Sequence, residues 1–143
     1  MQIQQLSIFI ENKSGRLAEI TEVLAAADID IRAISVADTS DFGILRLIVN
    51  RPDDAVSALK KAGLTVSITN VIAMGIDDVP GAFSKAMRTL ADSGIDVEYM
   101  YAFISRKSGK AYVILRVKDS KTAVDALTAG GIQILTAEEF YGM

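Results

Sequence analysis

The chain has 143 residues, a formal net charge of −3 and a half-hydrophobic composition with positive mean hydropathy. It holds no Cys and no His, which excludes disulfides, thiolate metal sites, Cys nucleophiles and the commonest general base and metal ligand. The acidic balance argues against a nucleic acid as partner, since phosphate backbones are held by clustered Lys and Arg.

A sizeable core follows from the apolar fraction. No apolar run reaches the eighteen or so residues that a membrane span needs. The opening "MQIQQLSIFIENKSG" lacks the basic start and small-residue cleavage site of a signal peptide. Cytoplasmic residence is therefore the expectation.

In chain order, "IQQLSIFI" (Ile3–Ile10) reads as a strand. Leu17, Ile20, Leu24 and Ala27 then fall at helical spacing beside polar Glu19 and Glu22, the pattern of an amphipathic helix. "IDIRAISVA" is a second strand, "DTSD" a turn, and "GILRLIVN" a third strand apolar on both faces. "PDDAVSALKKAG" carries helix start and stop signals at Pro52 and Gly63, and "LTVSIT" is a fourth strand. The order β-α-β-β-α-β then repeats: "VIAMGID", "GAFSKAMRTLADS", "IDVEYMYAFIS", a turn at "RKSGK", "AYVILRV", "SKTAVDALTAG" and "IQILT".

The offset between copies is 66 residues from Gly15 to Gly81 and 68 from Gly63 to Gly131, placing a two-residue insertion in the hairpin of the second copy. The chain is thus a duplicated ferredoxin-like α+β unit, with domains at residues 1–69 and 70–143. "TNV" is too short for a flexible linker, so the two units are expected to pack directly about an approximate twofold axis.

Both copies place a polar residue and then Gly where a strand gives way to a helix, in Asn12-Lys13-Ser14-Gly15 and Asp78-Val79-Pro80-Gly81. One reading is structural: Asn, Ser or Asp caps the helix and Gly accommodates a tight turn. The other is functional. A helix N-terminus offers unpaired amides and partial positive charge to a carboxylate, and a nearby acidic or amide oxygen receives an ammonium. Those two demands together describe a free amino acid.

"ENKSGRLAEI…DIDI" and "DDVPGAFSKA…GIDVEYMYAF" resemble the ACT domain, a small-molecule regulatory module of amino-acid metabolism, as two tandem copies over essentially the whole chain. The resemblance implies an eight-stranded antiparallel sheet with the helices on one face, and amino-acid ligands at the seam between units. It implies a regulatory, non-enzymatic protein with no cofactor and no metal. Asn12 matches a ligand-contacting Asn of serine-binding ACT domains, Gly15 their loop Gly, and Asp30 and Asp96 a position that contributes an Asn across the interface. Ser14 replaces the usual Pro of a Pro-Gly pair, and Ile10 stands where serine binders have a His.

Two unequal sites are therefore expected. One pairs the loop Asn12, Lys13, Ser14, Gly15, Arg16 and Leu17 with Asp96. The other pairs Asp78, Val79, Pro80, Gly81, Ala82 and Phe83 with Asp30. The Asn12 site should be the tighter, because its amide can donate to a ligand carboxylate that Asp78 would repel. Tyr99, Tyr101 and Phe103 share one strand face, a packing stripe in which Tyr101 is the candidate to close over a ligand side chain. Lys60, Lys61, Arg106 and Lys107 read as solvated charges.

"NKSGRL" is also similar to the loop of acetohydroxyacid synthase regulatory subunits, which bind valine. The alternative reading is accordingly a regulatory subunit of an amino-acid biosynthetic enzyme. Strands apolar on both faces lead to the expectation of a homodimer formed through the sheet face left open by the helices.

Overall fold

The computed structural model describes residues 3–11, 13–38, 41–105 and 109–143. Asn12 and the tips of the two expected turns, at residues 39–40 and 106–108, lie outside the described residues.

The elements are β1 (Ile3–Glu11), α1 (Arg16–Ala26), β2 (Ile31–Asp38), β3 (Phe42–Val49), α2 (Pro52–Lys61) and β4 (Thr65–Asp77). They continue as α3 (Ala82–Asp92), β5 (Val97–Ser105), β6 (Lys110–Val117), α4 (Ser120–Ala129), β7 (Gln133–Ile134) and α5 (Ala137–Tyr141). Two compact units result. The first comprises Gln4–Thr69 with Tyr141–Met143, and the second Ile3 with Asn70–Phe140.

In the first unit the strand order is β2-β3-β1-β4. β1 pairs antiparallel with β3, Leu6 opposite Leu47 and Ile8 opposite Leu45. Period-2 alternation turns Leu6, Ile8, Ile10, Leu45 and Leu47 to one face, where they form a core with Ile20 and Leu24 of α1 and Leu59 of α2. The second unit orders its strands β4-β6-β5, with β7 also on β4. Ile72, Met74, Val113 and Leu115 meet Ala86 and Leu90 of α3 and Leu127 of α4. In each unit the two long helices thus share one face of the sheet.

Seven strands are present among the described residues, not the expected eight. The segments "LTVSIT" and "VIAMGID" join into one strand, β4, of thirteen residues. With no Gly or Pro between Thr65 and Met74, nothing at "TNV" interrupts an extended backbone.

The last expected strand, "IQILT", shrinks to Gln133–Ile134. The Leu135 amide still donates to the carbonyl of Ala73 at 2.9 Å, and Thr136 then starts α5. Its hydroxyl accepts from the Glu139 amide at 3.1 Å and its carbonyl from the Phe140 amide at 3.0 Å. The signal was present as "TAEE", a Thr with Glu three residues on, which is a capping box.

α5 accounts for much of the burial on the second unit's other face. Phe140 is 1% exposed and meets Phe103 edge-on at 5.8 Å, while Phe103 lies 5.6 Å from Tyr112. β6 is therefore buried on both faces from Tyr112 to Leu115. β3 departs from its expected double burial: Leu47 to Val49 are buried, but Phe42 and Ile44 are exposed.

Candidate functional site

The glycine loops are two copies of one turn. The Arg16 amide donates to the Lys13 carbonyl at 3.2 Å, and the Ala82 amide to the Val79 carbonyl at 3.3 Å. Gly15 (φ 84°, ψ −5°) and Gly81 (φ 91°, ψ −18°) occupy the third position of these turns. Those angles are those of a type II β-turn, which demands positive φ there and favours Pro just before. Ser14-Gly15 and Pro80-Gly81 are thus the same device.

Glycine, in consequence, stands at the cap of both α1 and α3, and among the described residues no side chain caps either helix. The expected capping does not hold for Ser14 or Asp78, because the turn puts Gly where the capping side chain would be, and Asn12 lies outside the described residues. Only Glu19 and Lys85 return a bond to the cap carbonyl, at 3.0 Å each. The amides of Leu17, Ala18, Phe83 and Ser84 lie in the first turn, where a helix has no internal acceptor. α4 differs, since Asp119 accepts from both the amide and the hydroxyl of Thr122, at 3.1 and 2.6 Å.

Electrostatics around the loops are arranged by two short ion pairs. The acidic residue closing each preceding strand has a lysine on it, Glu11 with Lys13 at 2.9 Å and Asp77 with Lys110 at 2.8 Å. The hydrogen bond from the lysine, and then its charge, hold both carboxyls below their ordinary range. A carboxylate arriving at the first loop meets a neutralised Glu11, whereas at the second Asp77 is neutralised but Asp78 has no ion pair among the described residues. Arg16 is paired with Glu19 at 3.1 Å. Lys13, Ser14, Leu17, Asp78, Val79, Pro80 and Phe83 are exposed, and Ala82 is half-buried. The Asp78 amide extends the strand ladder to the carbonyl of Gly109 at 3.0 Å.

Neither unit brings its own glycine loop to its own acidic residue. An eleven-residue helix, about 16 Å long at 1.5 Å per residue, runs from Gly15 toward Asp30 and from Gly81 toward Asp96. The two acids also differ. The carboxylate of Asp30 lies 3.1 Å from Arg32, and its backbone is tied to Asn50 through bonds of 3.0 and 3.1 Å. At the equivalent places the second unit has Glu98 and Lys118. Glu98 is engaged by Arg116 at 3.5 Å, and Asp96 has no ion pair among the described residues. A cavity of about 250 Å³ opens beside Asp96, lined also by Gly94, Lys118 and Thr122. Nothing in the periodicity marked Lys118 or Glu98, and only aligning the copies reveals them.

Tyr101 lies on the face of β5 that also carries Phe103, opposite Ile114 of β6. It is half-buried, about five residues or 17 Å along the strand from Asp96. Among the described residues no group of three or more potential ligands is placed to hold a metal. No helix there is long and apolar enough to cross a membrane.

The family model described as an ACT domain pair matches residues 1–143. The chain belongs to the ACT domain pair family. ACT domains are a regulatory domain type rather than a catalytic one. Among solved structures, the chain is 41% identical to protein BT0572 from Bacteroides thetaiotaomicron, with a TM-score of 0.94 over 100% of this chain and 98% of that one. It shares the fold of the ligand-free regulatory subunit of aspartate kinase from Thermus thermophilus, at 17% identity and TM-score 0.67, covering 91% of this chain and 93% of that one. The corresponding subunit from Thermus flavus gives 15% identity and TM-score 0.66, covering 92% and 94%. No curated protein matches the sequence.

Proposed function

We propose that this ACT domain pair is a sensor of a free amino acid, without catalytic activity of its own. The observation that carries the reading is the twice-used glycine turn, which leaves the first helical turn without a cap from the described residues and open to a carboxylate. Of the other two long helices, α4 closes its amides with Asp119, while α2 also lacks a side-chain cap but starts at Pro52, which has no amide N–H to satisfy.

The ligand's carboxylate rests on the amides at Leu17–Ala18 or Phe83–Ser84, and its ammonium on an acidic side chain. Asp96 is the better acceptor, because Asp30 is already neutralised by Arg32. Substitutions in the Asn12–Leu17 loop and at Asp96 should weaken binding most, and those in the Asp78–Phe83 loop and at Asp30 least.

A thermal-shift screen against the individual proteinogenic amino acids tests this. A ligand at a hundred times its Kd adds about 2.7 kcal/mol, and Asp96→Ala should abolish the shift. No shift with any amino acid would defeat the proposal.

The likeness to regulatory subunits of aspartate kinase supports a second role, as the regulatory partner of an amino-acid biosynthetic enzyme. Co-purification from the native source tests it. Phe9 and Phe42, 54% and 44% exposed and stacked at 5.2 Å on the first unit's open face, support a homodimer. A monomer by light scattering at micromolar concentration would contradict that.

A further inference from the structure

A cavity of about 150 Å³ lies wholly within the second unit, lined by Gly75, Asp77, Lys85, Lys110 and Gln133 together with Ala82 and neighbouring backbone. Its charged lining is one acid and two lysines, an excess of one positive charge on a chain whose net charge is −3. Lys110 is occupied by Asp77, whereas Lys85 has no ion pair among the described residues.

Three observations set this cavity apart from ordinary surface. The first unit has Glu19 where the second has Lys85, and Phe42 where it has Lys110, so neither lysine is demanded by the fold. Lys85 also sits in the first turn of α3, where a cation opposes the helix's positive end, and no acidic residue of that turn offsets it. Glu19, at the matching place in α1, obeys the rule and pairs with Arg16. Finally, a Cβ added at Gly75 would come within 2.8 Å of the Gln133 side-chain oxygen. Glycine at that position lets the Gln133 amide lie along the strand at the cavity.

We propose that this cavity binds a small carboxylate anion, with the Lys85 ammonium as its counter-charge and the Lys110–Asp77 pair as a neutral wall. The site requires no ammonium on its ligand. It borders the second glycine loop at Ala82 but holds its ligand through Lys85 and not through that loop's open amides.

The test is a titration of the ¹⁵N-labelled full chain with sodium acetate, against sodium chloride at equal ionic strength, followed at the Gly75 and Gly131 amides and the Gln133 side-chain amide. Saturable shifts with acetate alone are expected, weakened about tenfold or more by Lys85→Glu and retained in Lys85→Arg. Because α1 folds with Glu at the matching position, the Glu variant should remain folded, which its spectrum also reports. Shifts that never saturate, that chloride reproduces, or that survive Lys85→Glu would overturn the proposal. Acetate binding without any amino-acid response would leave this site standing and remove the sensor. The reverse result would do the opposite.

Discussion

Gly15 and Gly81 are the residues on which both loops turn. A Cβ at either would meet nothing within 4 Å, so the cost of replacing them is conformational and not steric. Gly81→Ala is expected to cost about 1 kcal/mol, the penalty of an L-residue in the left-handed region, measured as a lowered urea midpoint. The opposite case is Asp28, which has φ 58° where the second copy has Gly94 at φ 70°. Its carbonyl, with that of Ala27, accepts from the Arg51 guanidinium, a backbone contact that any residue preserves. Asp28→Gly should therefore stabilise the protein, by about 0.5 kcal/mol once glycine's own entropy is deducted. The turn glycines were legible in the sequence because positive φ leaves a residue-type signature. That Ser14 and Asp78 do not cap was not, because such residues promise caps wherever they stand and only the backbone path decides whether they reach the amides.

Among the elements, α5 has the largest effect for its length. Five residues bury Phe140 against Phe103 on the face of the second unit's sheet away from α3 and α4. Phe140→Ala should cost about 3–5 kcal/mol, as for a buried aromatic in a core, read by urea denaturation. Thr136→Ala removes only the cap and should cost about 1 kcal/mol. A larger loss would mean that the whole helix detaches. "IQILT" has the composition of a strand throughout, so periodicity alone predicted one. The capping box that overrides it is a spacing, Thr136 to Glu139, visible only when helix starts are sought inside an apparent strand. For β4 the error ran the other way: two predicted strands were one, since repeat boundaries mark descent and need not break a backbone.

At the scale of the whole molecule, the duplication has kept the core and divided the charges. Leu24 and Leu90 are buried alike, as are Leu59 and Leu127. The polar positions have instead diverged, as Glu19 and Lys85, Arg32 and Glu98, and Asn50 and Lys118 illustrate. With no imidazole in the chain, no side chain of ordinary acidity changes charge between about pH 6 and 8, so thermal stability should be flat there. Acid is different. Glu11, Asp77 and Asp119 have carboxyls lowered from ordinary values of 4.5, 3.8 and 3.8, by hydrogen bonds from Lys13, Lys110 and Thr122 first of all. Their contribution is fully present above those ordinary values and disappears as pH falls through the lowered ones. Melting followed against pH should thus show a plateau and then a decline on the acid side. Lys110→Met should make that decline shallower by freeing Asp77 to titrate normally.

The sequence by itself determined the duplicated βαββαβ order, the two cores and the glycine turns. All of these rest on local periodicity, or on a backbone angle that one residue type adopts freely. Tertiary structure alone decided that β4 is continuous and that Phe140 covers Phe103. Each depends on which side chains meet across distant segments or on what a neighbouring element leaves uncovered. Pairing of that kind has no period and leaves no trace along the chain.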